Sequence, residues 1–311
     1  MATEHYFTPN ATELSFRQKL FHFNWPLLIL LCATGAVGVA MLYSAANGSW
    51  TPWAMRQLAR FLFSVVLLFA VGLTDIRIWL RFAYPIYAVA LGLLVAVELI
   101  GATGMGAQRW INLGVFNLQP SEVMKIASVL ALARYFHSAT LEDVARPLFL
   151  IVPVVMILGP AALVLKQPDL GTAIMLIAAG GAVLFAVGVR LWKFAVVLVA
   201  MIGALPVVWS TLRPYQQRRI FTFLDPESDP LGAGYHILQS KIALGSGGLF
   251  GKGFMKGTQS HLNFLPEKQT DFIFTMLAEE FGLAGGLALL ALYMLLIVYG
   301  FAISLRSRNQ F

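Results

Sequence analysis

The sequence predicts an all-α, polytopic membrane protein, folded as a bundle of transmembrane helices. Of its 311 residues, 59% are hydrophobic and only 12% are charged, whereas soluble domains contain about 25% charged residues. Mean hydropathy is +0.75, and apolar windows close to the roughly 20 residues that a bilayer requires follow one another from Trp25 onward. No soluble core needs this much apolar sequence, so we expect the chain to cross a membrane many times.

Eight of these windows are predicted to form transmembrane helices. They lie near residues 25–45, 57–74, 82–100, 120–137, 147–165, 170–188, 191–211 and 272–303. The predicted organisation is therefore a tail at 1–24, seven helices within 25–211, a long loop at 212–270 and a last long helix with its terminal segment at 271–311. Connections as long as this loop are uncommon unless they have a function or a structure of their own, so we expect the loop to be functional.

The distribution of Lys and Arg predicts the orientation. With a cytoplasmic N-terminus, ten cations fall in inside loops or tails and four in short outside loops, as the positive-inside rule requires. The ten are Arg17, Lys19, Arg77, Arg81, Arg134, Arg146, Arg190, Lys193, Arg306 and Arg308, and the four are Arg56, Arg60, Arg109 and Lys166. Long translocated loops largely escape this rule, so the basic 212–270 loop is predicted to be extracytoplasmic. The net charge of +7 is thereby explained without nucleic acid as a partner.

Several site types are unsupported by the sequence. Cys32 is the single cysteine, and no histidine has the spacing of a zinc ligand. The glycine-rich segment at 245–253 resembles a phosphate-binding loop, but Gly253 stands where that motif needs Ser or Thr. We therefore expect a flexible hinge there, whose backbone amides could still hold a phosphate oxygen. The apolar run after residues 1–24 has no small-residue cleavage site of the Ala-x-Ala kind, so we expect no cleaved signal peptide.

A short helix is predicted inside the long loop. Ile237, Leu238, Ile242 and Leu249 recur at helical spacing beside polar residues such as Lys241. A helix with one apolar face and a cation on the other typically lies in the membrane surface.

Several polar side chains lie near the ends of predicted helices. Glu122 and Lys125 share one helix face, and they either line a cavity or complement the helix dipole at the membrane surface. Asp169 is predicted to be a helix N-cap. Arg109 and Trp110 fit an interfacial anchor, because such residues gather at membrane surfaces.

Asp271 stands at the head of the last apolar segment. Because residues 282–303 alone are long enough to span a bilayer, residues 271–281 are surplus length, and they also carry Glu279 and Glu280. Three carboxylates close to a basic loop indicate an acid/base site for an anionic, lipid-linked substrate. The alternative is that Asp271 caps the last helix.

The long loop and the last helix contain distinctive runs at residues 225–236, 239–253, 257–260 and 264–282, including Phe-Leu-Pro-Glu before Thr-Asp-Phe-Ile-Phe. These stretches resemble the SEDS family of cell-wall polymerases, which includes FtsW, RodA and SpoVE, and they are most similar to its RodA elongation branch. Earlier in the chain, Gln-Arg-Trp-Ile at 108–111, Gln-Pro-Ser-Glu at 119–122 and Gln-Pro-Asp-Leu-Gly-Thr-Ala at 167–173 also match.

This resemblance implies a function in the bacterial cytoplasmic membrane. Family members polymerise lipid II, the undecaprenyl-pyrophosphate-linked disaccharide-pentapeptide, into glycan strands during cell elongation and rod-shape maintenance. They work with a class B penicillin-binding protein and other membrane proteins of the elongation complex. No cofactor is established, and a divalent cation is the one candidate. The family has ten helices, so the resemblance also implies that this chain is truncated and that two further spans follow residue 311 in the parent protein.

The resemblance also implies roles for particular residues. Asp271 matches the essential catalytic acid, and Arg109 with Trp110 matches an essential outer-loop pair. The other residues expected to contact substrate are Glu122, Lys125, Asp169, Arg56, Arg218 and Lys241.

Two other functions fit the same features. A lipid II flippase would also place polar residues such as Glu122 and Lys125 along a path through the membrane, although we find no inverted repeat in the sequence. A non-catalytic scaffold for the penicillin-binding protein is the second alternative.

Overall fold

The computed structural model describes residues 16–21, 23–100, 102–104, 107–112, 117–211, 214–228, 233–262, 264–265 and 267–307. These residues form two compact units. The first unit comprises the chain up to Thr74 together with Val208–Ser307, and the second comprises Asp75–Val207.

The described residues are mainly helical, which confirms the predicted fold class. The helices are α1 (Phe16–Phe21), α2 (Trp25–Ala45), α3 (Ala54–Leu73), α4 (Ile76–Ile100), α5 (Pro120–Phe136), α6 (Leu141–Ala145), α7 (Ile151–Lys166), α8 (Leu170–Ala186), α9 (Leu191–Thr211), α10 (Pro214–Leu224), α11 (Ala233–Ser246), α12 (Thr258–His261) and α13 (Ile273–Arg306). Short 3₁₀ turns lie at Leu148–Leu150 and Pro226–Ser228.

All eight windows predicted to span the membrane are helical. Within the described residues, five helices are long and apolar enough to cross a membrane: Trp25–Ala45, Ala54–Leu73, Ile76–Leu99, Leu148–Lys166 and Ile273–Arg306. Leu170–Ala186 and Leu191–Pro206 are shorter apolar helices. Helix α5 has only 17 residues and carries Glu122 in its first turn and Arg134 in its last. The chain is a multi-pass membrane protein.

Local sequence signals explain where several helices begin. Pro120 occupies the first turn of α5, where the missing N–H of proline costs no hydrogen bond. The Asp169 carboxylate accepts from the Thr172 amide at 3.2 Å, which confirms the predicted N-cap of α8. At α6, Thr140 and Asp143 form a capping box.

A small antiparallel sheet lies in a region that was predicted to be a loop. Its strands are β1 (Ala102–Gly104), β2 (Ala107–Asn112) and β3 (Asn117–Leu118), in the order β1-β2-β3. Ile111 pairs with Leu118. The sheet places Arg109 and Trp110 on a strand, where successive side chains point to opposite faces.

Small residues bring the helices of the second unit close together. The core cluster contains Ala90 of α4, Ala127 of α5, Ala161 of α7 and Ala173 of α8, each at most 2% exposed. Membrane helices have little hydrophobic force between them, so close backbone approach through small residues is their typical means of packing. In the first unit, α2 and α13 pack through a separate cluster of Met41, Ala45, Met276 and Leu277.

Candidate functional site

The last long helix is two helices joined at Gly282. This residue has φ 69° and ψ −165°, which is a conformation that essentially only glycine adopts. Residues 273–281 and 283–306 therefore form separate helical halves. The break lies at the boundary predicted from the sequence. Residues 271–281 before it are surplus length, and residues 282–303 are long enough to span the bilayer.

The glycine-rich segment at 245–253 supplies the hydrogen bonds that the broken helix lacks. Its Lys252 and Gly253 amides donate to the Glu279 and Glu280 carbonyls at 3.1 and 2.9 Å. In return, the amides of residues 283 and 284 donate to the carbonyls of residues 248 and 249 at 2.9 and 3.0 Å. Helix ends leave such groups unpaired, so this segment caps both halves of α13.

The expectation of a flexible hinge in the glycine-rich segment is therefore wrong. The segment folds directly against the α13 backbone, and a Cβ atom on Gly247 would lie 2.1 Å from the Ala278 carbonyl oxygen. Because the Lys252 and Gly253 amides already bind helix carbonyls, they are not available to hold a phosphate oxygen. Glycine is needed here for close approach rather than for mobility.

Glu279 is fully buried and anchors the loop that follows the glycine-rich segment. Its carboxylate pairs with the Lys252 ammonium at 2.8 Å. It also accepts from the Thr258 hydroxyl at 3.1 Å, the Gln259 amide at 2.9 Å and the Ser260 hydroxyl at 3.0 Å. A buried charge is stable only when it is paired and hydrogen-bonded in this way, so Glu279 serves to hold α12.

Glu280 is also fully buried but faces the first membrane span. Its Oε1 accepts from the Ser44 hydroxyl and lies 3.2 Å from His261 Nε2. The other ring nitrogen of His261 contacts the Asn47 side chain. Glu280 therefore links α13, α12 and the end of α2.

Of the three carboxylates predicted to share an acid/base site, only Asp271 is exposed. It lies in the turn formed by residues 267–272, which we call the Asp271 turn. The N-cap of α13 is Phe272, which makes no side-chain cap hydrogen bond, so the contacts of the described residues do not support the alternative role of Asp271 as the cap of this helix. Among the described residues, Asp271 makes no salt bridge, and its carboxylate is open to a ligand.

In the second unit, Arg109 binds the junction between α7 and α8. Its Nε donates to the Gln167 carbonyl at 3.1 Å, and its Nη2 donates to the Pro168 carbonyl. Its Nη1 lies 3.9 Å from the Asp169 carboxylate. The structure thus brings Arg109 and Asp169 together, and Arg109 ties strand β2 to the start of α8.

Trp110 follows Arg109 on the same strand and is 40% exposed. The side chain is therefore available for contact with substrate or lipid. Anchoring Arg109 fixes the strand that presents the Trp110 indole.

Glu122 and Lys125 form an ion pair of 2.9 Å on the surface of α5. The Glu122 side chain is 56% exposed and that of Lys125 is 25% exposed. Glu122 stands in the first turn of α5, where a negative charge also complements the helix dipole. The described contacts fit the dipole interpretation, and a role in substrate binding stays a prediction.

A charge swap tests how this pair works. If Glu122 and Lys125 act mainly on each other, neutralising either residue should lower activity more than exchanging the two. The attraction gained by an exposed pair at this spacing is only about 0.2–0.5 kcal/mol, so we expect changes of a few-fold in polymerisation rate. Equal loss in the exchanged variant would indicate that each residue contacts substrate separately.

The remaining predicted substrate contacts belong to the first unit. Arg56 in α3 and Lys241 in α11 are exposed, and neither side chain takes part in a salt bridge of the described residues. Arg218 belongs to α10, but its side chain lies outside the described part of the structure. The predicted amphipathic helix is present as α11 and ends at Ser246, before Leu249. Its location at a membrane surface stays a prediction.

Metal binding gains no support from side-chain clustering. Among the described residues, no group of three or more His, Cys, Asp or Glu side chains is placed to hold a metal ion. These residues alone do not form a typical divalent-cation site, which takes several oxygen ligands. The expectation of a divalent cation stays untested.

Sequence reasoning missed the polar cluster around Glu279. Its members come from the glycine-rich segment, α12 and α13, and only the fold brings them together. One sequence feature could have indicated this cluster, namely the adjacent acids Glu279 and Glu280 inside an apolar helix. Buried charges require polar partners, so such a pair predicts a polar cluster around it.

Comparison with known sequences identifies relatives over nearly the whole chain. The family model described as cell cycle protein, of the FtsW, RodA and SpoVE type, matches residues 22–311. The peptidoglycan glycosyltransferase MrdB of Escherichia coli strain K12 is 44% identical over 308 residues, which cover 98% of this chain and 81% of MrdB. A probable peptidoglycan glycosyltransferase FtsW of Aliivibrio salmonicida is 34% identical, over 94% of this chain and 72% of that protein.

Solved structures agree with these sequence relatives. A chain in a peptidoglycan synthase complex that coordinates polymerisation and crosslinking matches with a TM-score of 0.78 and 31% identity, over 93% of this chain and 80% of that one. The rod shape determining protein RodA of Thermus thermophilus matches with a TM-score of 0.64 and 26% identity, over 93% and 77% of the two chains. The chain described here therefore belongs to the FtsW, RodA and SpoVE family of cell cycle proteins.

Proposed function

We propose that this chain is a peptidoglycan glycosyltransferase that polymerises lipid II into glycan strands during cell elongation. The observation that carries the proposal is the 44% identity with a peptidoglycan glycosyltransferase over 98% of the chain. The exposed Asp271 carboxylate, held in a turn before a broken membrane helix, supplies a group that fits this chemistry.

In the proposed reaction, Asp271 is the general base. It accepts the proton of the acceptor sugar's 4-hydroxyl as that oxygen attacks the anomeric carbon of the lipid-linked donor. The bond between this carbon and the phosphate oxygen breaks, and the lipid pyrophosphate leaves with the electron pair. Attack from the face opposite the leaving group inverts the anomeric configuration. An exposed carboxylate can receive this proton and release it to water.

Negative charge develops on the leaving pyrophosphate, and cationic side chains would stabilise it. Lys241 is a suitable candidate because its ammonium is exposed. Arg109 already donates to two backbone carbonyls. We therefore propose that Arg109 acts mainly by holding Trp110 in place and that Lys241 and Arg218 contact the phosphates.

We further propose that the chain works beside a class B penicillin-binding protein in the bacterial cytoplasmic membrane. One structural relative comes from a complex that coordinates polymerisation with crosslinking. This supports a membrane partner that crosslinks the glycan strands made by this chain.

A glycan-polymer gel tests the proposed function. The purified protein, alone and with its penicillin-binding partner, is incubated with labelled lipid II and with an inhibitor that blocks ordinary transglycosylases. Ladders of polymer are the expected result. Movement of lipid II across vesicles without polymer would instead indicate a flippase, and neither activity would indicate a scaffold.

The proposed orientation places both termini in the cytoplasm. A reporter that works only in the cytoplasm should therefore be active when it is fused at His5 or Asn309. A reporter that works only outside the cytoplasm should be active when it is fused at Ser228. The physical reason is the excess of Lys and Arg in the loops assigned to the inside. A paired set of cytoplasmic and periplasmic reporter fusions measures this, and the reverse pattern would refute the orientation.

A further inference from the structure

The Asp271 turn is tied to the rest of the first unit by a lysine side chain. Within the turn, the amides of Thr270 and Phe272 donate to the Glu267 carbonyl at 3.0 and 3.4 Å. The Lys268 side chain leaves the turn and is buried, with the residue only 8% exposed. Its ammonium donates to the Ser260 carbonyl at 3.0 Å.

Ser260 is itself held rigidly by the polar cluster on α13. It is fully buried, and its hydroxyl and amide donate to Glu279 Oε2 at 3.0 and 3.4 Å. The same carboxylate is paired with Lys252. A continuous chain of hydrogen bonds therefore runs from α13 through Glu279 and Ser260 to Lys268, three residues before Asp271.

Burying a lysine is costly, because its charged form loses water. Burial accordingly lowers the pKa of the Lys268 ammonium. An apolar side chain would fill the same space without it, so simple packing does not explain the choice of lysine. A charge-assisted bond to a fixed carbonyl does explain it, because such bonds are stronger and more directional than neutral ones.

We propose that Lys268 is a positioning residue that holds the Asp271 turn at a fixed place through its bond to Ser260. The inference rests on the proposed role of Asp271 as general base. Lys268 touches no substrate in this proposal and acts only by fixing where the carboxylate stands. A displacement of about 1 Å in a reacting group lowers a rate by on the order of 10²-fold.

Matched lysine variants test the proposal kinetically. Lys268→Met keeps the length of the side chain and removes the bond, whereas Lys268→Arg keeps a charged donor. Lys256→Met is the control, because Lys256 lies in the same loop and is exposed. We expect Lys268→Met to lower kcat by on the order of 10²-fold with KM for lipid II unchanged, and we expect Lys268→Arg and Lys256→Met to stay close to the parent protein.

A distance measurement separates this inference from the proposed function. Spin labels at Thr270→Cys and Met55→Cys, in a Cys32→Ala background, report the position of the turn relative to α3 without substrate. Lys268→Met should broaden the distance distribution and Lys256→Met should not. If Asp271→Ala retained activity, the base assignment would fail while this distance result would still stand.

Several results would overturn the inference. They are a parent-like kcat in Lys268→Met, a rise in KM with kcat unchanged, or an unchanged distance distribution. If Lys268→Met does not yield folded protein, Lys268→Gln is measured in the same way and judged by the same results, because its uncharged side chain is one bond too short to keep the contact with the Ser260 carbonyl.

Discussion

Replacing Asp271 with alanine is expected to lower the rate of lipid II polymerisation by about 10²–10⁴-fold, the usual contribution of a general base. The carboxylate is exposed and precedes the first residue of α13, so its removal leaves no buried group unpaired. The loss should therefore be chemical rather than structural. Polymer formed from labelled lipid II by the purified protein measures it.

The control for this variant is Glu227→Ala, another exposed acid in the same long loop. It should retain the parent rate, and both variants should insert into the membrane and melt at the parent temperature. An Asp271→Ala protein that polymerises at a near-parent rate would remove Asp271 from the mechanism. An Asp271→Ala protein that melts early would show that the carboxylate has a structural role instead.

Replacing Gly251 with alanine is expected to separate the two halves of α13 from the glycine-rich segment. Gly251 has φ +79°, and a Cβ atom there would lie 2.1 Å from the Glu280 carbonyl oxygen. The backbone conformation alone costs about 1–3 kcal/mol for a non-glycine residue, and relief of the clash would also break the bonds from Lys252 and Gly253. The variant should lose both thermal stability and activity.

Gly245→Ala is the matched control for this substitution. It lies at the end of α11, and a Cβ atom there would meet no other atom within 4 Å. Alanine also favours helix more than glycine does, so this variant should melt at or above the parent temperature. Melting followed by size-exclusion chromatography in detergent compares the two variants. Equal melting temperatures would show that position 251 tolerates a side chain.

The buried polar clusters distinguish Glu279 and Glu280, which lie in α13, from Asp271 in the turn that precedes this helix. Glu279 and Glu280 lie within nine residues of Asp271 in sequence, yet both are fully buried and hydrogen-bonded. Their substitution should destabilise the first unit, because each would leave partners unpaired in a dry environment. Asp271 is the one of the three whose loss should spare stability.

Composition and periodicity were sufficient for the fold class of this protein. Long apolar windows predict membrane helices because backbone groups in lipid must be satisfied within the segment itself, and all eight windows are helical. Short-range signals were also reliable. Asp169 caps α8 and Glu122 pairs with Lys125 because these contacts depend only on spacing along one helix turn.

Contacts between distant segments were decided only by the tertiary structure. The sequence of residues 245–253 is equally compatible with a hinge, a phosphate cradle or a close-packed strap, because glycine permits all three. The close-packed arrangement forms because the break at Gly282 leaves N–H and carbonyl groups of α13 unpaired. The segment at 245–253 then forms hydrogen bonds with these groups. In the same way, Glu279 and Asp271 are both acidic residues in an apolar context, and only the surrounding chain determines that one is buried beside Lys252 while the other faces solvent. Burial and pairing are set by residues far away in sequence, and these decide which carboxylate supports the fold and which is free to react.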